Sequence, residues 1–270
     1  MLLASCSQPH QWYKKDIKES EKAQLAESVL NGVSYHYQGS VPEQFHIKEA
    51  LSLDSSNGDF WREMGTARVK RGLADEMFYF YAKAAELKPD PWMGFRGYLY
   101  LYFYRDYKRA IADFDQMDSI TGTINNSQAQ DHDYMRGVAY YGAKNYPNAI
   151  KYLEKYIDRI STEVGAEWVD ANAHLYLALS LKEYGYNYQP TVESLKRMLE
   201  VYPESADAHY HLALIAYSNH QYPKSREYLT KAITNYDRGF YHNRPYVEVL
   251  DQLYPEDFEK LSDLLTLKGA

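Results

Sequence analysis

The sequence predicts an all-α chain built of repeated helix–turn–helix units. Three observations carry that prediction. Apolar residues recur at helical spacing along most of the 270 residues. Glycines and prolines punctuate those stripes where turns and helix ends are needed, as at Gly72 and Pro89. Small residues recur 34 positions apart, Ala50 and Ala84 being the first such pair. A hairpin of that size cannot bury its apolar face alone, so copies are expected on both sides of it.

The clearest unit runs from Gly58 to Pro91 and reads GDFWREMGTARVKRGLADEMFYFYAKAAELKPDP. Trp61, Met64, Gly65 and Arg68 follow a helical period, which puts Trp61 and Met64 on one face with Gly65. Gly65 and Ala84 are small where one helix must approach another closely. Gly72 can take the backbone angles of a tight inter-helix turn. Pro89 ends the second helix, because proline cannot continue the hydrogen-bond ladder. This order of Trp61, Met64, Gly65, Tyr81, Ala84 and Pro89 resembles the tetratricopeptide repeat, a helix–turn–helix unit of about 34 residues. The resemblance extends from about residue 24 to 237. It implies a right-handed superhelical solenoid of about six units, closed by C-terminal capping helices.

Taken in order, residues from about 16 to 33 form a charged amphipathic helix with Ile17, Leu25, Val29 and Leu30 as its apolar positions. A second helix runs from about Pro42, a residue suited to the first helical position, to Leu53. These two make a degenerate first repeat. Gly58–Pro91 is the second. The third starts at Trp92, and its first helix includes the alternating Tyr98-Leu99-Tyr100-Leu101-Tyr102-Phe103, read as helix because Ala110 and Phe114 follow at repeat spacing. Its Gly97-to-Ala110 interval is one residue longer than the repeat pattern. Residues 119–130 are polar and form an insertion. The fourth repeat carries Tyr134, Gly137, Tyr140, Ala149 and Leu153. The fifth carries His174, Ala178, Leu181, Leu195 and Pro203, with a Tyr186-Asn187-Tyr188 turn. The sixth carries Leu212, Ala213, Tyr222, Leu229 and Ala232. An Arg-Gly-Phe-Tyr-His-Asn loop follows. Two short helices, from Tyr246 to Leu253 and from Pro255 to about Leu267, then cap the array. The expected division is 1–15 as signal and tether, 16–237 as solenoid and 238–270 as cap.

Composition narrows the function. The formal net charge is −7 and the basic residues are scattered, which argues against a nucleic-acid partner. The 29 tyrosines suit half-exposed positions on packed helices and on binding faces. The single cysteine, Cys6, excludes an internal disulfide framework and a cysteine-cluster metal site. Leu3-Ala4-Ser5-Cys6 resembles the lipobox of bacterial lipoproteins, in which the cysteine becomes the lipidated first residue. What precedes it is too short for a complete signal, so this reading implies a start upstream. It places the chain in the bacterial envelope, in the periplasm or on the outer membrane, with Cys6 as its attachment to the membrane. The alternative is a cytoplasmic chain.

No catalytic motif is present: no nucleophile elbow, no phosphate-binding loop, no dinucleotide fingerprint. His209, His211 and His220 do not make a metal site, because residues two apart on a helix point to different faces. His174 and His209 fall at the repeat position of Trp61 and read as core. Asp113-x-Asp115-x-x-Asp118 lacks the glycine and distal glutamate of a calcium loop and reads as a solvated acidic face. The sequence therefore predicts no enzyme, cofactor or metal. The resemblance implies a surface for another protein or peptide segment, lined by the inner helix of each repeat. Carried onto this chain, that groove holds Phe95, Leu99 and Tyr102 in the third repeat, Tyr134, Val138 and Tyr141 in the fourth, and Tyr210, Leu214 and Tyr217 in the sixth. Members of each aromatic pair are seven apart, about two helical turns. The second repeat offers Arg62, Thr66 and Lys70 instead, a basic end to an aromatic channel. Two rival functions remain open: a glycan-binding surface lipoprotein and a cytoplasmic co-chaperone-like adaptor. Pairing of two copies through exposed tyrosines is also compatible with the sequence.

Overall fold

The computed structural model describes residues 17–185 and 188–269. The lipobox residues Leu3 to Cys6 and the turn at Tyr186-Asn187 lie outside the described residues. The chain forms two compact units, divided between Arg96 and Gly97.

The first unit holds helices α1 (Glu19–Asn31), α2 (Val41–Leu53), α3 (Gly58–Lys70) and α4 (Ala74–Leu87). The next helix, α5 (Pro89–Leu99), crosses the division. Local chemistry sets the starts. Ser40 accepts from the Glu43 N–H at 3.3 Å, and Pro42 sits in the first turn of α2. Asn57 accepts from the Asp59 N–H at 3.0 Å and opens α3. The core joins Ala26, Ala50, Leu53 and Phe60. Phe60, not Trp61, is the wholly buried ring of α3. A Cβ on Gly65 would lie 2.8 Å from the Tyr81 ring, so α3 and α4 approach as closely as the sequence suggested. Gly72 turns the chain at φ 68°.

The second unit begins with a surprise. After Leu99 the chain widens into a π-helical turn, Tyr100–Tyr104, that ends at Arg105 with φ 55°. A π turn accommodates one extra residue per turn. It absorbs the extra residue in the Gly97-to-Ala110 interval, and Gly97 and Phe114 still meet, a Cβ on Gly97 falling 2.6 Å from that ring. Helix α6 (Tyr107–Thr121) follows. The polar insertion folds into a two-stranded hairpin, β1 (Asn126–Ser127) and β2 (Gln130–Asp131). Then come α7 (His132–Gly142), α8 (Tyr146–Glu163), α9 (Ala171–Tyr184), α10 (Tyr188–Val201), α11 (Ala206–Ser218) and α12 (Tyr222–Asp237). Asp131, Asp170 and Ser205 cap the first helices of the last three pairs. Gly137 holds the place of Gly65, with Leu153 2.5 Å from a would-be Cβ. Ala178 and Ala213 hold it in the last two pairs and are fully buried.

The acidic stripe on α6 is not a solvated face. Asp113 is buried, and Asp115 and Asp118 bind Arg136 at 2.7 and 2.6 Å. Arg136 also reaches the buried Asp133 at 3.2 Å, and Asp118 bonds His132 at 2.8 Å. Burial raises the Asp118 carboxyl, but bonds from His132, Asn125 and Arg136 outweigh it and hold the group well below the usual range. The C-terminal cap also differs from expectation. Only α13 (Pro255–Leu267) is helical there, and Tyr246–Leu253 is not. Leu253, Phe258, Leu261 and Leu265 pack on Ala213, Leu229 and Ala232, which closes the open end of the last pair.

Candidate functional site

The first helices of the pairs in the second unit, with the end of α5, present a row of tyrosines. Tyr98 and Tyr102 are one turn apart, their rings 5.0 Å from each other. Tyr134 and Tyr141 lie two turns apart on α7. Tyr176 of α9 sits between them, 6.5 Å from the Tyr134 ring and 5.6 Å from the Tyr141 ring. Tyr210, three residues before Ala213 as Tyr134 is before Gly137, occupies the place of Tyr134 on α11.

Residues 239–254 lie across this row as a strap. The chain leaves α12 through Gly239, and the Phe240 carbonyl accepts from the Ala206 N–H at 2.8 Å. The His242 N–H donates to Asp207 Oδ2 at 2.7 Å, and the His242 ring stands edge-on to Tyr176. The Arg244 guanidinium lies 4.7 Å from the centre of the Tyr102 ring and 5.6 Å from that of Tyr98. The strap then turns back, with Arg244 bridged to Val247. On the return, Arg105 donates to the Glu248 carbonyl, Tyr176 Oη to the Leu250 carbonyl at 3.0 Å, and Tyr141 Oη to Asp251 Oδ2 at 2.7 Å. Val249 and Leu253 are buried.

Burial keeps the phenols of this face protonated. It pushes Tyr102 up to about 12 and Tyr134 and Tyr176 well above the usual tyrosine range. Tyr102 and Tyr176 act as hydrogen-bond donors, not as bases. Burial also raises the carboxyls of Asp170, and of Asp207 to about 6. Chemically, the face is equipped to hold polypeptide: hydroxyl donors for carbonyls and carboxylates, rings and acids for a guanidinium.

Two segments match the tetratricopeptide-repeat family model, residues 133–159 and 192–239. Both segments match as tetratricopeptide repeats, and the fold is that of a tetratricopeptide solenoid. The first match falls on the fourth repeat, and the second on the second helix of the fifth repeat and the whole of the sixth. Among solved structures, the chain is similar to PilW, a type IV pilus biogenesis factor, at TM-score 0.61 and 16% identity, over 90% of this chain and 98% of that one. It is similar to PilF of Pseudomonas aeruginosa at 0.58 and 13%, over 91% and 97%. YrrB, a tetratricopeptide-repeat protein with an unusual peptide-binding site, aligns at 0.50 and 19%, over 70% and 91%. No curated protein matches the sequence.

Within these tetratricopeptide units the structure places the expected groove residues unevenly. In the first unit, Arg62 pairs with Glu63 at 2.7 Å and covers the Trp92 ring at 4.5 Å. Thr66 bonds the Arg62 carbonyl at 3.0 Å, and the exposed Lys70 contacts Gln38. Phe95 is half-buried and stacks on Tyr81. In the second unit, Leu99, Tyr102, Tyr134 and Val138 are buried, so they do not line an open groove as expected. Tyr102 lies under the strap's Arg244, while Tyr134 packs on Tyr156 and Tyr176. Tyr141 is half-buried and holds the strap directly. Tyr210, Leu214 and Tyr217 pack against the cluster built by α13. Cys6 lies outside the described residues. Sequence reasoning missed Tyr98, Tyr176, Asp207 and the strap itself. The strap gave no signal of its own, because Tyr246–Leu253 reads as a helix in the sequence; in the structure it is part of a long helix-free run of the kind that is often functional.

Histidines at packed positions make the unit acid-sensitive. Burial pushes His242 and His211 down to about 3 and His174 to about 4. In the unfolded chain each titrates near 6.5. Their neutral forms therefore contribute stability above 6.5 that is lost as pH falls from 6.5 towards 3. Asp207, raised to about 6, works the other way between 6 and its unfolded value, and three histidines outweigh it. Lowering the pH from 7 to 5 is expected to cost a few kcal/mol, read as a lower urea midpoint. An unchanged midpoint would show that these histidines are not buried neutral.

Proposed function

We propose that this chain is a non-catalytic scaffold that holds an extended segment of another protein against the first-helix face of its repeats. One observation carries the reading. In the second unit that face already grips an extended stretch of polypeptide, the strap, through side chains of α5, the π turn, α7, α9 and α11. The printed description of YrrB as a repeat protein with a peptide-binding site supports the same use of the fold. The two pilus factors support a place in the bacterial envelope, and the lipobox-like Leu3-Ala4-Ser5-Cys6 supports Cys6 as the lipid attachment point.

The test is site-specific photo-crosslinking in the native host. A photoreactive residue replaces the exposed Lys70 or Lys182 on first helices, or the exposed Lys151 or Lys231 on second helices. The first pair is expected to capture a discrete envelope protein that the second pair does not. Capture from the second-helix positions alone, or of cytoplasmic proteins alone, would overturn the proposal.

A further inference from the structure

We infer that residues 239–254 are a built-in stand-in for the partner, and that the segment they hold the place of is an extended stretch of protein carrying an arginine and, beyond it, a carboxylate. The inference rests on the proposed scaffold function and names the chemistry that its second unit selects.

The strap marks out two subsites. The first takes a guanidinium. Arg244 lies over Tyr98 and Tyr102, and the half-buried Asp170 carboxylate is near enough to feel its charge. Rings and a carboxylate select a cation, and a planar guanidinium over a flat aromatic face in preference to an ammonium. The second takes a carboxylate, Asp251 on the Tyr141 hydroxyl. Between them Arg105 and Tyr176 hold backbone carbonyls, which any extended segment supplies.

Three features suit the strap to being displaced. Its ends are tethered to helices: Phe258, Leu261 and Leu265 of α13 pack on Ala213, Leu229 and Ala232, and of the strap's own residues Leu253 alone, at its last turn, joins that cluster. Its backbone is strained at Tyr246, φ 69°, and Asp251, φ 54°, and Tyr246 is 61% exposed, so that strain is not repaid by burial of its ring. Its polar fit is incomplete. Among the described residues, Arg244 Nε, Tyr134 Oη and Asp207 Oδ1 are buried without a hydrogen-bond partner. A buried polar atom left unpaired is costly, so a segment that satisfied Tyr134 Oη and Asp207 Oδ1, and whose own guanidinium was fully bonded where that of Arg244 is not, would bind better than the strap does. The strap holds the face because it is tethered at both ends, which gives it an effective concentration on the order of millimolar.

The experiment uses the full chain and a fluorescein-labelled synthetic peptide with the sequence of residues 239–252. Arg244→Ala with Asp251→Ala loosens the strap without touching the face. The unaltered chain is expected to ignore the peptide at micromolar concentrations, and the double variant to bind it with unchanged helical circular dichroism. A peptide with alanine at the place of Arg244 should bind at least about tenfold more weakly. In a second form, a specific protease site inserted at the exposed Pro245-Tyr246 tip is cut, and the nicked chain should also take up the peptide. A folded double variant or nicked chain that excludes the peptide overturns the inference, as does loss of helix in the double variant, because a displaceable strap cannot be required for the fold. Peptide binding to the unaltered chain at equal strength also overturns it. None of these outcomes touches Lys70 or Lys182, so the crosslinking result reports on scaffold function separately.

Discussion

Replacing Arg136 with alanine is expected to destabilise the second unit by about 3–5 kcal/mol, the cost of leaving buried charge unpaired. Arg136 is 4% exposed and is the common partner of Asp115, Asp118 and Asp133. Asp118 keeps His132 and Asn125. Asp133 is wholly buried and, among the described residues, keeps only Lys155 as an ion-pair partner, at 3.0 Å, whose side chain is half exposed. The loss is therefore concentrated at Asp133. Urea denaturation of the full chain measures it, and adding Asp133→Ala should recover part of it. A single variant within about 0.5 kcal/mol of the parent, the range of ordinary surface changes, would show that the network does not bear on stability.

Tyr134→Ala should cost a similar amount, about 3–5 kcal/mol, because the ring fills space between α7, α8 and α9. Its neighbours are Tyr156 and Tyr176. Tyr134→Phe should be neutral or slightly stabilising. The hydroxyl is buried without a partner among the described residues, so its removal ends a desolvation cost and breaks no bond. The pair of variants separates two roles for this residue. A side chain lining an open groove would tolerate alanine with nearly unchanged melting and lose only binding. A large drop for alanine with none for phenylalanine is the signature of packing, and a phenylalanine variant that melts far lower would mean the hydroxyl is bonded after all.

The helical hairpins were legible because their determinants are local. Gly65, Gly72 and Pro89 each act within a few residues of themselves. The seven-residue spacing of Tyr134 and Tyr141 follows from helix geometry alone, and both do lie on the face that the strap crosses. Whether that face is open was not legible. It depends on His242, Arg244 and Asp251, which meet residues between 35 and 146 positions away. No periodicity relates such pairs. The stretch 246–253 misled for a related reason. Its Val249 and Leu253 have helical spacing, but their apolar side chains are buried under an irregular backbone whose hydrogen bonds go to Arg105 and Tyr176. The acidic run 113–118 looked solvated because its counter-charge, Arg136, comes from a different helix.

The π turn at Tyr100–Tyr104 bears on how such an array changes length. One added residue rotates everything after it by about 100° about the helix axis. In a stack whose every contact depends on which side faces inward, that rotation would expose the core of all later units. Here the rotation is confined to five residues. Gly97 before it and Ala110 and Phe114 after it keep their buried places. A solenoid can thus take up a single-residue insertion inside a helix, at a site where the backbone widens, and keep its facing on both sides.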